Sequence, residues 1–567
     1  MHQPTIPPPP ALPDPPAERA AAAASPVRRL REAIAASRSD ISIVVAITLL
    51  AALLRLWRLD TMPLGLHGDE AWTALDAQRI VREGWIGPYV LSALGQPTGP
   101  LYFTALIFKI LPDTTFAARL SMALLGVATI PLAYLAFAAM FNRIVAAFAS
   151  LLLTVMMWHL HLSRTAFMVT AWPLMEVLAL WALWLALRRR AIWLFAIAGA
   201  VHGLGVYSYN AYLLFLPVPC VALLWALFYE HGWRARARFV FLRCGALAVC
   251  ALIVTLPLLR YVNAHPNDYR EHQRLVGLTY SPEWKDAGTF GKAKLIGSRA
   301  REWELGLVRG GRDDYGDGLA TAGHPAIDPI VLLLAAAGLI VALWNWRKPQ
   351  YAVILSSLLL LPWGALLTIS DGLFRRTLGL APFVALLAAL PLAWLWERCW
   401  KARDGQRRLY LVATLAVVSF VGVRTTVEYF GPVQDTVAMR YVFPYQLDAT
   451  SRWLNTLPDG TYVYLYSDRW SIDYETRLFL APRIAGEDRS VEFRPESLGT
   501  PDETPIDYRP DRRRDVVFVF LGDYENGVRE AVALNPGGSL TEVRRGDDVL
   551  FRGYYLARLP GESIAPP

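Results

Sequence analysis

Cysteine is scarce in this chain, with four residues in 567. Cys220, Cys244, Cys250 and Cys399 each lie inside or at the end of an apolar run, with no Cys-x-x-Cys or Cys/His spacing. A disulfide framework and a zinc centre are therefore excluded, and the four read as small core residues. Also missing is any soluble segment in which basic residues alternate with aromatics. The net charge of +8 thus gives no reason to expect nucleic acid, and Lys and Arg instead fit the cytoplasmic ends of membrane helices. Charge is scarcest of all within the long apolar runs. A bilayer core about 30 Å thick takes about 20 helical residues to cross, and Ile41–Leu59, Thr115–Phe141, Ile144–Leu162 and Thr170–Leu187 have that length. A soluble enzyme has no use for so many such segments.

Ahead of the first run lies a Pro- and Ala-rich stretch ending in Arg28-Arg29-Leu30-Arg31. It has too few apolar groups to fold, so residues 1–40 read as a disordered cytoplasmic tail. The run that follows is too long for a signal-peptide core and lacks a small-x-small cleavage site, which makes Ile41–Leu59 a retained first span. With the tail inside, the remaining spans can be tested against charge. Thr115–Phe141 returns to Asn142-Arg143, and Thr170–Leu187 to Arg188-Arg189-Arg190. Ala211–Tyr229 leads to Arg234, Arg236, Arg238 and Arg243, and Ile327–Trp344 to Arg347-Lys348. Thr377–Trp396 is followed by Arg398, Lys401, Arg403, Arg407 and Arg408. Every even-numbered span lands on a basic cluster. The short outward loops are poor in cations, apart from Arg164 and the Arg375-Arg376 pair. The expected fold is a polytopic α-helical membrane protein with about eleven spans over 41–424. It would sit in the plasma (inner) membrane with its N-terminus cytoplasmic.

Three outward segments are long: 60–114, 260–326 and 425–567. In the first, Gly99–Leu111 is apolar but short, and reads as an interfacial helix with Tyr102 and Phe103 as aromatic anchors. Tyr102 is also a candidate substrate contact. In the second, Asp313-Asp314-Tyr-Gly-Asp317-Gly318 misses the EF-hand spacing and its closing Glu, so it reads as a solvated acidic turn. The third reads as an extracytoplasmic α/β domain. Tyr462–Tyr466 and Val516–Leu521 look like buried strands, and Pro444–Leu457 and Tyr474–Leu480 have helical spacing. Leu540–Val543 and Val549–Tyr555 form a hairpin pattern around Gly546-Asp547.

The chemistry concentrates in Met62-Pro-Leu-Gly-Leu-His-Gly-Asp-Glu-Ala-Trp72, which places two adjacent carboxylates just outside the membrane. Gly65 and Gly68 permit close backbone approach, and a helix is expected over Ala71–Arg82. Taken alone, Asp69 is well placed as the N-cap of that helix. Downstream come Gln96-Pro-Thr-Gly-Pro-Leu-Tyr102, then Phe116-Ala-Ala-Arg119-Leu-Ser121 at the start of the second span. This order resembles the polyprenyl-phosphate-sugar-dependent glycosyltransferases of the GT-C fold, the protein O-mannosyltransferase and aminoarabinose-transferase relatives. Leu162-Ser-Arg-Thr-Ala-Phe167, Gly323-His-Pro-Ala-Ile-Asp-Pro329 and Phe374-Arg-Arg-Thr-Leu-Gly-Leu-Ala-Pro382 extend the resemblance over roughly residues 40–430.

The resemblance implies transfer of a sugar from a polyprenyl-phosphate carrier to a hydroxyl of a protein, glycan or lipid acceptor on the outer face, with inversion. A lipid phosphate is already a good leaving group, so the reaction needs a base for the acceptor proton and cations for the phosphate. Asp69 is the candidate base. Glu70 would bind the acceptor or tune Asp69 through like-charge coupling, and His67 would hydrogen-bond either carboxylate. Arg375, Arg376 and Arg164 are candidate phosphate ligands, although a lone Arg164 could simply snorkel to the interface. The chain departs from some relatives in one respect: Ser163–Thr170 carries no second carboxylate, and the next acid, Glu176, lies inside a span. A divalent metal is possible in such enzymes, but no ligand cluster supports one here. A transporter or flippase is the rival reading. It would favour mid-span charges and paired repeats, which this chain lacks apart from Glu176. A membrane-anchored binding protein would not need eleven spans.

Overall fold

The computed structural model describes residues 26–310, 324–369, 373–493 and 506–559, the stretch 26–39 by its backbone alone. Residues 1–25 of the expected tail and the acidic turn at Asp313–Gly318 lie outside the described residues.

Among the described residues seven helices are long and apolar enough to cross a membrane. Three shorter apolar helices, Arg143–Val155, Ile192–Gly205 and Pro329–Trp344, and the first helix, Pro26–Leu56, account for the remaining predicted spans. The first helix begins well before Ile41, so the expectation of disorder fails for 26–40. That stretch, Leu30-Arg-Glu-Ala-Ile-Ala-Ala36, is rich in good helix formers. A helix already nucleated in the membrane extends through such residues without a fresh nucleation cost.

The predicted span 144–162 is broken. Arg143–Val155 ends where Met156 turns extended, with φ −62° and ψ 118°, and Met157–Leu162 resumes. Arg55, buried in the first helix, donates to the carbonyl of Thr154 at 3.2 Å and pairs with His159 Nδ1 at 2.8 Å. The break therefore leaves no orphan carbonyl there. Ala171–Arg189 and Ala381–Lys401 run through the middle of the bundle, with most of their side chains buried. Close packing needs small residues: a Cβ at Gly338 would come within 2.0 Å of the Leu387 carbonyl oxygen.

Outside the bundle, β1 (Tyr89–Val90) and β2 (Gln96–Pro97) form a small antiparallel pair. The C-terminal domain holds a five-stranded sheet of β3 (Tyr462–Tyr466), β4 (Ala485–Asp488), β5 (Val516–Phe520), β6 (Ser539–Arg545) and β7 (Asp548–Leu556), in the order β4-β3-β5-β7-β6. The β3/β4 and β3/β5 pairs are parallel, and the β5/β7 and β6/β7 pairs antiparallel. All five residues of Val-Val-Phe-Val-Phe in β5 are buried, as a central strand covered on both faces requires. The predicted hairpin is present, with Gly546 at φ +60°. Strand β4 was not predicted, because Ala-Gly-Glu-Asp at an exposed edge carries no β-branched or aromatic residue. The helices Tyr445–Leu454 and Glu475–Leu480 fall where their spacing predicts, and the second packs against the Gly68–Glu83 helix of the first outer loop.

Candidate active site

The first outer loop forms a helix over Gly68–Glu83, and its N-cap is His67 rather than Asp69. His67 Nδ1 accepts from the Asp69 amide at 2.9 Å, while Glu70 Oε2 accepts from the His67 amide at 3.0 Å. This reciprocal pair is a capping box with a histidine in place of Ser or Thr. The cap reading of Asp69 is thereby corrected. Because the imidazole takes that job, the Asp69 carboxylate is released, and 39% of its side chain remains exposed.

Its neighbour Glu70 is fully buried. One oxygen accepts from Arg119 Nε at 2.9 Å and the Ala166 amide at 2.8 Å, and the other from Arg119 Nη2 at 3.0 Å. Arg119 also donates to the carbonyls of Pro63 and Gly65 at 2.8 and 2.6 Å. Burial works to raise the pKa of Glu70, but Arg119 and the two backbone amides outweigh it and hold the group below its ordinary value. Of the two expected roles of Glu70, binding the acceptor is thus corrected: the carboxylate is a buried tie. It fastens the first outer loop to the second at Ala166 and to the start of the Thr115–Met140 span.

Arg164 and Tyr102 are also corrected. Arg164 has no exposed surface and donates to the carbonyls of Leu54, Arg55, Arg58 and Met62. These are the orphan acceptors at and beyond the C-terminus of the first helix, so the cation caps a helix end instead of facing a phosphate. The Tyr102 hydroxyl donates to Gly87 O and accepts from the Ile86 amide, while its ring stacks on Trp85. It pins the turn after the loop helix and lines none of the cavities described below.

Arg375 reaches Asp69 across 306 residues of sequence, with Nη1 2.5 Å from Oδ2. Its guanidinium lies 4.6 Å from the centroid of the Phe167 ring. Both arginines belong to the short helical turn Arg375–Leu380 that opens the tenth span. For Asp69, burial pushes the pKa up. Arg375, then His67 and Arg376, overcome that push, so the carboxyl stays below its usual value and remains ionised at neutral pH.

Two cavities meet at this carboxylate. The larger, about 1040 Å³, is lined by Trp72, Asp76, Arg79, Tyr89, Tyr474 and Glu475 among others. The smaller, about 380 Å³, holds Phe167, Tyr209, His272, Arg375 and Arg376. His67, Asp69, Ala93 and Leu94 line both. Ala93 and Leu94 have φ of 48° and 66°, a left-handed pair without glycine. The strain of that pair therefore sits on the wall between the cavities, in the loop that β1 and β2 close. Arg376 and His272 also line a third cavity of about 300 Å³ that continues towards Trp363 and Leu367.

Three contributors were not singled out in the sequence. His272, on the Pro266–Val276 helix, lines the Arg375 side; burial, then Arg376, pushes its pKa down to about 4, so it is neutral at physiological pH. Tyr474 and Glu475 arrive from the C-terminal domain, which sits directly on the loop. A Cβ at Gly68 would lie 2.9 Å from the Tyr474 hydroxyl, and one at Gly65 would lie 2.6 Å from the Tyr445 nitrogen. Thr476 Oγ1 donates to Leu66 O at 2.9 Å. A His, Tyr or Glu in a polar segment carries no local signal of where it will converge. The paired glycines were the one hint that another backbone comes close. Among the described residues no group of three His, Cys, Asp or Glu side chains stands close enough to hold a metal ion.

Comparison with known proteins agrees with this architecture. Residues 95–261 match the sequence model of the family described as dolichyl-phosphate-mannose-protein mannosyltransferase. No curated protein matches the chain by sequence. Among solved structures, the chain is similar to ArnT from Cupriavidus metallidurans bound to undecaprenyl phosphate. The two share 14% identity and a TM-score of 0.52, over 93% of this chain and 99% of that one. It is also similar to the oligosaccharyltransferase AglB from Archaeoglobus fulgidus, in complex with an inhibitory peptide and a dolichol-phosphate. That match has 15% identity and a TM-score of 0.50, over 85% of this chain and 69% of the other. The chain is a multi-pass membrane protein with the GT-C glycosyltransferase fold, as the ordered motifs of its outer loops imply.

Proposed function

We propose that the protein transfers a sugar from a polyprenyl-phosphate carrier to an acceptor hydroxyl at the outer face of the membrane, with Asp69 as the base. The observation that carries this reading is the position of Asp69 where two cavities join, ion-paired with Arg375. The smaller cavity, with Arg375 and Arg376, suits the phosphate of the donor, since forked guanidinium groups pair well with phosphate oxygens. The larger cavity, with Trp72, Tyr89 and Tyr474 beside carboxylates and arginines, suits the acceptor.

In the proposed step the acceptor oxygen attacks the anomeric carbon and its proton passes to Asp69. The bond from that carbon to the phosphate oxygen breaks, and its electron pair leaves on the phosphate. A single displacement of this kind inverts the anomeric centre. The donor phosphate competes with Asp69 for Arg375. Once Arg375 turns to the phosphate, the push of burial on the Asp69 carboxyl is less opposed, its pKa rises, and it becomes a better base at the moment the donor is seated. Two guanidinium groups supply the positive charge the leaving phosphate needs. The lipid phosphates named in the ArnT and AglB complexes support the donor class.

The test is Asp69→Asn in the full chain reconstituted with a polyprenyl-phosphate-linked sugar and the native envelope extract as acceptor. Transfer should fall by about 10²- to 10⁴-fold, the usual contribution of a positioned base, with the melting temperature preserved. Transfer at the wild-type rate would overturn the assignment.

A further inference from the structure

At the ends of the spans opposite Asp69 lies a fourth cavity, of about 270 Å³. The helices Thr115–Met140 and Ala171–Arg189 both start beside the active site and reach this cavity with their last residues. At 1.5 Å per residue the second helix alone separates the two places by about 28 Å. The cavity is therefore no part of the site described above.

Its polar wall is built from Arg188, Arg190 and Arg243 with a single carboxylate, Glu230. One oxygen of Glu230 is shared between Arg190 Nη2 at 3.4 Å and Arg243 Nη1 at 3.2 Å. Arg188 has neither an ion pair nor a hydrogen bond among the described residues. Three cations against one buried carboxylate leave the cavity about two positive charges in excess.

Two irregularities of the backbone aim these groups. Residues two apart on a helix face different sides, but Arg190 adopts a left-handed φ of 54°, and both it and Arg188 line the cavity. Across from them Phe239–Cys244 is a π-helical segment within an otherwise α-helical span, and it presents Phe239 and Arg243 to the same space. π-Helical turns are rare and gather at functional sites.

The rest of the wall is apolar. Trp184, Phe195 and Phe239 are buried, the two phenylalanines meeting edge to face. On the cavity wall Tyr229 is largely exposed, as is its chain neighbour Phe228, which a membrane protein does where it meets acyl chains. A ligand for this place needs an anionic head for the arginines and a hydrocarbon body for the aromatic wall.

We propose that this cavity binds the phosphate of one anionic phospholipid, its acyl chains leaving over the exposed Phe228 and Tyr229. Glu230 holds the two guanidinium groups in place while the cavity is empty and competes with the lipid phosphate when it fills. The proposal does not rest on the transfer reaction.

Native mass spectrometry of the full chain in detergent, titrated with phosphatidylglycerol or phosphatidylcholine of equal chain length, tests it. One phosphatidylglycerol should be retained about five-fold or more over phosphatidylcholine, given about 1 kcal/mol for each basic residue near an anionic lipid. Arg190→Gln with Arg243→Gln should abolish the preference. Arg188→Gln, an exposed site where folding is not at risk, should reduce it. Glu230→Gln should strengthen it, because the carboxylate no longer competes for Arg190 and Arg243. Equal retention of the two lipids, a preference unchanged in the arginine variants, or a Glu230→Gln variant that binds phosphatidylglycerol more weakly would overturn the proposal. So would displacement of the lipid by inorganic phosphate at the same concentration, because the ligand would then be a soluble anion.

Discussion

Two loops that the charge pattern assigns to the outer face carry arginine where little is expected, and the structure uses them in opposite ways. Arg164 is sealed from solvent and spends its donors on four backbone carbonyls at the end of the first helix. Arg375 keeps 18% of its side chain exposed and faces a carboxylate at the meeting point of two cavities. The adjacent acids divide in the same manner: Glu70 is locked between Arg119 and two backbone amides, whereas Asp69 pairs with Arg375 where two cavities meet. A charge that breaks the topological pattern thus marks a constraint, but that constraint can be a helix end as easily as a substrate.

The comparison is sharpest in variants that should uncouple stability from chemistry. Glu70→Ala leaves Arg119 buried and unpaired, so it should cost about 3–5 kcal/mol of stability, read as a drop in melting temperature and in folded yield. Arg164→Gln should also destabilise, by about 1–3 kcal/mol for each carbonyl it leaves unbonded. If either variant melts like the wild type and loses only transfer, the division between tie and site fails. Arg375→Gln should do the reverse, lowering transfer by about 10²- to 10³-fold, as loss of one oriented donor commonly does. Its melting temperature should barely change.

The pH dependence separates the two acids further. Arg375, His67 and Arg376 hold the Asp69 pKa below its ordinary value against the push of burial, so the carboxylate is already ionised across the neutral range. The wild-type kcat/KM should therefore show no acidic limb from Asp69 above the ordinary carboxylate range. In Arg375→Gln the largest opposing charge is gone and burial raises the pKa, so a limb should appear at higher pH. An unchanged profile would mean that Arg375 does not govern this carboxylate. The smallest effect belongs to Tyr102→Phe, which loses two hydrogen bonds to a turn. It should cost about 1 kcal/mol and leave KM for the donor unaltered.

Much of the fold was legible because a bilayer imposes one length scale and one charge asymmetry on every span. The same reasoning missed the helical start at Pro26, where propensity and continuity with a span outweigh polarity. It also missed the break at Met156, which Arg55 supports from another helix. The strands β3, β5 and the β6/β7 hairpin were readable from their apolar runs, while the edge strand β4 was not. At the site, the Asp-Glu pair and the Arg-Arg pair drew attention by residue type and side of the membrane. Which of the two acids is exposed, and which carboxylate an arginine meets, depends on partners far away in the chain, such as Arg119 for Glu70 and Asp69 for Arg375. His67 shows the limit of propensity rules: Asp is the commoner N-cap, yet the ring nitrogen of His67 took the Asp69 amide and left the acid to pair with Arg375.

The central claim is that Asp69 acts on the acceptor and shares Arg375 with the donor phosphate. The most direct measurement is the affinity of Asp69→Asn for a polyprenyl phosphate, taken beside its transfer rate in the same preparation. Removing the charge that competes for Arg375 should leave lipid-phosphate binding equal to or tighter than wild type while transfer collapses. Weaker phosphate binding, or transfer that survives, would contradict the account.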